Sequence, residues 1–224
     1  MPTSNLPRES PRKAVFVDRD GVINRNRRDH VKSWAEFAFL PNAVEALVEL
    51  TRHGLRTVVL TNQAVINRGI AARQVIDEIH ARMLSELETA GARVEAVFYC
   101  PHRPEECCSC RKPRPGLLLR AAKELGIDLR DSYLIGDALS DVEAGAAVGC
   151  RTILVMTGRG ASQLLSRDAG RIQGYSVSRN LRHAVRRIGT PPRFRSRPGS
   201  ATALARRFGL WPTQQLQDVR SGGR

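Results

Sequence analysis

A doubly wound α/β fold built on a parallel sheet is what this sequence predicts, and three observations predict it. Short apolar runs rich in β-branched residues alternate with amphipathic stretches of helical length. Their centres are apolar on consecutive residues rather than on every second one, as in Val15–Val17 and Val58–Leu60, the pattern of strands covered on both faces. Carboxylate, hydroxyl or amide residues follow directly on several of them, at the carboxyl ends of strands, where open α/β sheets bind ligands.

The elements follow in order. Val15 to Val17 is the first strand, closed by Asp18, Asp20 and Gly21. After a charged loop (25–39), Pro41–Gly54 reads as a helix with apolar residues at 44, 47, 48 and 50 and glycine just past its end. Leu55–Leu60 is a second strand, ending in Thr61, Asn62 and Gln63. Residues 72–90 form a long amphipathic helix with apolar positions 75, 76, 79, 83, 84 and 87. Val94–Tyr99 is a third strand, leading into a cysteine-rich loop.

Pro115–Gly126 is a helix with proline at its start and glycine at its end. Ser132–Ile135 is a strand ending in Gly136 and Asp137, and Asp141–Val148 is a small-residue helix. Thr152–Met156 is a further strand. Ser178–Ile188 reads as the closing helix, with Leu181, Ala184, Val185 and Ile188 on one face and Ser178 as its N-cap. The domain is expected to span 13–189, between a disordered N-terminus (1–12) and a basic, mostly disordered tail (190–224) rich in Pro, Arg, Ser and Gly.

Charge needs locating before it is interpreted. The formal net charge is +14, but residues 179–224 hold eleven Arg against the single acid Asp218. Residues 1–178 hold 25 basic and 21 acidic side chains, an ordinary balance. A nucleic-acid- or partner-binding reading therefore rests on the tail, where Phe194, Phe208 and Trp211 could stack on bases; nucleic acid is not the expected partner. The first residues lack the apolar core of a secretory signal, and no window approaches the roughly 18 apolar residues of a membrane span. The expectation is a cytoplasmic protein, monomeric, with no membrane partner. Four of the five cysteines fall within residues 100–110, which suits a metal site better than a disulfide framework.

The chemistry collects at strand ends: Asp18 and Asp20, Thr61 and Asn62, the Arg111-Lys112-Pro113 segment, and Asp137 with Asp141. A parallel sheet brings them to one edge. Two carboxylates together require a cation or a shared proton. With Mg²⁺ held by Asp18, the Asp20 backbone carbonyl and Asp137, the set suits phosphoryl transfer through an aspartate. Asp18 is the candidate nucleophile, Asp20 the general acid and base, and Thr61 and Lys112 the groups that hold phosphoryl oxygens.

The motifs Asp18-Arg19-Asp20-Gly21-Val22-Ile23-Asn24, Thr61-Asn62-Gln63 with Arg68-Gly69, Cys100-Pro101-His102, Cys108-Ser109-Cys110-Arg111-Lys112-Pro113 and Gly136-Asp137 carry a family resemblance. Over roughly residues 14–160 the sequence resembles haloacid-dehalogenase superfamily phosphatases, in the subfamily of heptose 1,7-bisphosphate 7-phosphatases and related histidinol-phosphatases. The resemblance implies a Rossmann-like fold and the Asp18, Asp20 and Mg²⁺ roles given above. It implies that Arg111 and Lys112 face the substrate phosphate. It also implies that Asn24 and the loop after it, with Asn62, Gln63 and Arg68, shape the substrate pocket. Cys100, His102, Cys108 and Cys110 form a Cys₃His set suited to a closed, structural Zn²⁺ site, leaving Cys107 as the spare thiol.

Three positions depart from the family pattern: Ala64 where Ser is usual, Ala138 where a basic residue follows the aspartate, and the Arg27–Val31 segment. A phosphorylated sugar, heptose 1,7-bisphosphate, is the expected substrate, with histidinol phosphate as the alternative. Arg27 and Arg28 favour a substrate with a second anionic group over a cationic imidazole.

Overall fold

The computed structural model describes residues 13–189, so the expected terminal segments 1–12 and 190–224 lie outside the described residues. Six parallel strands form one sheet: β1 (Ala14–Val17), β2 (Arg56–Asn62), β3 (Ala96–Cys100), β4 (Tyr133–Gly136), β5 (Arg151–Val155) and β6 (Tyr175–Ser178). Their order is β3-β2-β1-β4-β5-β6, with β1 pairing in parallel with both β2 and β4. The chain winds outward from β1 through β2 to β3, then crosses back to β4. The direction of winding therefore reverses between β1 and β4, and the crevice outside their carboxyl ends is where such sheets bind ligands.

Every residue of β1 is buried, because helices cover both faces of the sheet. Val15 and Val17 point to the face packed by α1 (Ala43–Arg52), α2 (Arg73–Thr89) and α6 (Leu181–Gly189). Ala14 and Phe16 point the other way, against Leu117, Leu118 and Ala121 of α3 (Gly116–Leu125) and Ala144 of α4 (Leu139–Ala146). Of the expected positions, Leu47 and Leu50 of α1 and Ile76, Ile79, Met83 and Leu87 of α2 are buried. Val44, Val48, Val75 and Leu84 are partly buried at the edge of the stripes, and Ala43 and Ala46 complete the α1 face. Among the described residues, no helix is long and apolar enough to cross a membrane.

The C-terminal part corrects the sequence reading. Ser178 ends strand β6, pairing with Val155, and does not cap a helix. The helix starts at Leu181, and Asn180 Oδ1 accepts the His183 N–H at 3.0 Å, taking the capping role. The strand was missed because only Val177 of its four residues is strongly apolar. A short α5 (Gly160–Leu164) also follows β5. The small-residue helix, expected from Asp141, begins two residues earlier at Leu139, since Asp141 Oδ2 accepts the Ala138 N–H at 3.1 Å.

Candidate active site

Asp18 follows β1 directly, and its N–H still donates to Ile135 O of β4 at 2.9 Å, fixing the residue over the switch point. The chain then turns sharply, with Ile23 and Asn24 N–H both donating to Arg19 O. Gly21 takes φ +88° in that turn, and a Cβ there would fall 2.1 Å from Asp137 Oδ2. Gly158, in the loop after β5, lies against Gly21 and meets the same carboxylate, where a Cβ would fall 2.2 Å from Oδ2. Two glycines thus let main chain close around Asp137.

Three carboxylates converge in this crevice. Ligand atoms of Asp18, Asp137 and Asp141 lie within 4.8 Å of one another, and all three residues are buried. One cation, Lys112, stands among them: its Nζ is 2.9 Å from Asp18 Oδ1 and 2.5 Å from Asp141 Oδ1, and it donates to Leu60 O at 2.8 Å. Burial alone would lower the Lys112 ammonium, but Asp141 and Asp18 outweigh it and raise it, so it stays charged.

A single lysine does not balance three acids. Burial, opposed by Lys112 but reinforced by Asp141, Asp137 and Asp20, pushes Asp18 up to about 7. Burial and Asp141, opposed by Arg159, push Asp137 up to about 6. Asp137 Oδ1 is buried with no hydrogen-bond partner and only the Arg159 guanidinium at 3.5 Å. An orphaned carboxylate oxygen in a pocket of raised carboxyls is what a hard divalent cation relieves, and all-oxygen donors suit Mg²⁺.

Asp20 is held differently. Asn24 Nδ2 donates to Oδ1 at 2.8 Å, Gln63 Nε2 to Oδ2 at 2.7 Å, and Arg19 Nη2 to both oxygens at 3.0 and 2.9 Å. Burial pushes its carboxyl up, yet the Arg19 charge and these donors outweigh burial and hold it below the usual range. The two acids of the motif therefore differ in kind: Asp18 is paired with a lysine in the crevice, while Asp20 is clamped by donors beside it.

The remaining expected residues divide into two groups. Gln63 Nε2 also donates to Thr61 Oγ1 at 2.9 Å, which brings Thr61 into the network. Asn62 is occupied: its Oδ1 accepts Lys112 N–H at 3.1 Å and its Nδ2 donates to Lys112 O at 3.0 Å. Its side chain thus fixes the lysine's backbone. Arg111 donates through Nη1 to His102 O at 3.2 Å, toward the cysteine loop. Arg68 is exposed, close enough to His30 for its charge to help lower that imidazole, after burial.

Cys100, His102, Cys108 and Cys110 converge with all ligand atoms within 4.8 Å, while Cys107 is exposed. The Cys110 sulfur lies 3.2 Å from that of Cys100 and 3.4 Å from that of Cys108, and His102 Nδ1 lies 3.2 Å from Cys110 Sγ. Three thiols and one imidazole around a common point match the donors of a tetrahedral zinc site. The site is joined to the crevice by chain: Cys110 is two residues from Lys112, and a Cβ on Gly116 would fall 2.4 Å from Ser109 O, so α3 starts hard against the loop.

Sequence places Asp141 at the reactive edge beside Asp137 without giving it a task, and it points to no site role for Arg159, Arg19 or His80. Asp141 lies four residues beyond Asp137, one helical turn on, and that spacing was a usable signal. Arg159 carried none beyond its place after a strand. Arg19 sits between two acids in the motif, whereas His80 lies outside the apolar positions read for α2 and has no signal in the sequence.

A HAD-hydrolase-like family model matches residues 109–184. The D-glycero-beta-D-manno-heptose-1,7-bisphosphate 7-phosphatase of Pseudomonas aeruginosa is 39% identical over 153 residues, covering 68% of this chain and 86% of that protein. The enzyme of the same name from Bordetella bronchiseptica is 38% identical over 169 residues, covering 75% and 93%. A crystal structure of D,D-heptose 1,7-bisphosphate phosphatase from B. bronchiseptica, complexed with magnesium and phosphate, superposes with a TM-score of 0.75 at 35% identity, covering 79% of this chain and 97% of that one.

Proposed function

The chain belongs to the HAD-like D-glycero-beta-D-manno-heptose-1,7-bisphosphate 7-phosphatase family, and from that we propose that it hydrolyses the 7-phosphate of a heptose 1,7-bisphosphate through an aspartyl phosphate. One observation carries the reading of the site: Asp18 and Asp20, two residues apart, are given opposite surroundings. Asp18 sits in the crevice with Lys112 on one oxygen, open to act as a nucleophile. Asp20 sits beside it, oriented by two neutral amides and by Arg19. These donors favour its carboxylate in the free site, so Asp20 takes up a proton as the anionic phosphate enters and then has one to give to the leaving oxygen.

In the first half, an Asp18 oxygen forms a bond to phosphorus as the ester P–O bond breaks, and the leaving sugar oxygen takes a proton from Asp20. In the second half, water attacks phosphorus, the Asp18 O–P bond breaks and Asp20 takes the proton from water. Lys112 and Thr61 stabilise the charge that builds on the phosphoryl oxygens. Asp18 and Asp137, with the Asp20 main-chain carbonyl, would hold Mg²⁺, whose chemistry is neutralisation of phosphate charge. Asp141 anchors Lys112 from behind.

Zinc in the Cys₃His set would be structural, since four protein ligands leave no open position. Its role is to hold the loop that carries Arg111 and Lys112. Three reduced thiols so close together suit a cytoplasmic setting.

A bisphosphate rather than histidinol phosphate is favoured by a groove lined by Arg25, Arg28, His30 and Arg159. Arg27, expected to help there, also lines the groove but is ion-paired with Asp29 and Glu36. Among the described residues, Arg25 and Arg28 have no carboxylate partner, which suits them to a second phosphate. Phosphate release with Mg²⁺ tests this: heptose 1,7-bisphosphate, as both anomers, against histidinol phosphate. A preference for a heptose anomer supports the proposal, and a preference for histidinol phosphate overturns it.

A further inference from the structure

His80 is a buried imidazole that the reaction above does not use. It lies on α2 within the apolar stripe, 5% exposed, with its ring 5.2 Å from that of Tyr99. Its Nε2 is 2.9 Å from Nη1 of Arg19. A guanidinium can only donate, so Nε2 accepts and the ring's proton belongs on Nδ1. A neutral imidazole is the form this position holds, because burial and then the Arg19 charge push His80 down to about 3.

Arg19 is completely buried, an unusual place for a guanidinium. Among the described residues, its side chain hydrogen-bonds to His80 and Asp20 alone, and its Nε has no partner. One end of the guanidinium is therefore seated on His80 while the other holds both oxygens of Asp20. Without the imidazole acceptor, Arg19 is tethered only by the carboxylate it is meant to orient.

We propose that His80 is a positioning residue for proton transfer to the leaving group, acting through Arg19 on Asp20. The proposal rests on the phosphatase reading, in which the ester P–O bond breaks as the leaving oxygen takes the Asp20 proton. Asp20 must face that oxygen within hydrogen-bond reach, and a misplacement of about 1 Å can cost on the order of a hundredfold in rate. Asn24 and Gln63, also buried, each hold one Asp20 oxygen; Arg19, seated on His80, is the donor that spans both.

The test compares kcat/KM on two esters with Mg²⁺ present. An alkyl phosphate such as the sugar 7-phosphate leaves as a poor alkoxide and needs the proton. 4-Nitrophenyl phosphate leaves as a stable phenolate and does not. Because kcat/KM reports steps up to departure of the leaving group, the later water attack does not blur the contrast. His80→Phe, which keeps a ring against Tyr99 but removes the acceptor, should lower kcat/KM for the alkyl ester by roughly tenfold to a hundredfold. The aryl ester should lose no more than about threefold, since the acid is not needed there.

His80→Gln, whose amide oxygen reaches where Nε2 stands, should restore the alkyl ester rate. Should the Phe variant not fold, His80→Asn gives the same contrast, because its amide is too short to reach Arg19. Equal loss on both esters, or no loss on either in folded protein, overturns the proposal. Asp20→Asn in the same assay separates the two levels: it should show the ester-selective loss in larger measure. If it shows none, Asp20 is not the acid and the reading beneath the proposal falls with it.

Discussion

Lys112 and Asp18 stand 94 residues apart in sequence and 2.9 Å apart in space, a buried cation donating to the carboxylate proposed to attack phosphorus. The same ammonium reaches Asp141, so a single lysine partly neutralises two of the three converging acids. The site is consequently a place of excess negative charge, which a divalent cation would relieve.

Removing that lysine should expose the imbalance. Lys112→Ala leaves Asp18 and Asp141 buried without their counter-charge, and breaking such a pair costs about 3–5 kcal/mol. Urea unfolding of metal-free protein should show a loss of that order, and added Mg²⁺ should recover part of it. An unchanged unfolding midpoint would show that the lysine is not what holds these carboxylates together.

The cysteine loop should carry zinc. Metal analysis of protein purified under reducing, chelator-free conditions should find about one zinc per chain, as four ligands imply. Cys110→Ser should lose the metal and lower activity without touching the crevice directly, because Lys112 follows two residues on and is clamped through its backbone by Asn62. A zinc-free wild type with full activity would remove the assignment.

His80 makes stability depend on pH in a definite direction. Its folded value is about 3 against an ordinary 6.5, so below pH 6.5 the unfolded chain binds the proton that the folded chain refuses. Its neutral form is no burden above pH 6.5, and stability is lost as pH falls from 6.5 toward 3. At pH 5 the loss from this one group is about 2 kcal/mol. Urea unfolding at pH 7 and pH 5 should show a smaller drop for His80→Phe than for the wild type, the acids common to both cancelling in the difference.

Selection of a second anionic group should depend on the groove. Arg28→Gln should raise KM for a bisphosphate by roughly tenfold, the loss of one charge-assisted contact, while leaving a monophosphate unaffected. Equal effects on both substrates would assign Arg28 to the reacting phosphate or to the fold.

Much of this was legible in the chain, and the reasons are particular. All-apolar runs such as Val15 to Val17 and Val58 to Leu60 marked buried parallel strands, and the residues just past them marked the active edge. The edge strand β6 escaped because it is four residues long, two of them serine, and only Val177 is strongly apolar. In the site, residues adjacent in a motif could be read directly: Asp18, Asp20, Lys112 and Asp137. Residues that act on them from other elements could not. Whether Asn62 would meet a phosphate or clamp Lys112, and whether Arg111 would face the crevice or His102, depends on side-chain direction at strand ends. His80 shows the limit best, since its partner is 61 residues away and nothing in a helical stripe names it.

The most direct measurement is an acid quench of the Mg²⁺-loaded enzyme during turnover of heptose 1,7-bisphosphate, followed by mass spectrometry of the peptide containing Asp18. The account predicts one hydroxylamine-labile phosphoryl group on Asp18, absent from a folded Asp18→Asn variant whose turnover has fallen by roughly a thousandfold or more. A phosphoryl group on another residue, or full turnover by Asp18→Asn, would contradict it.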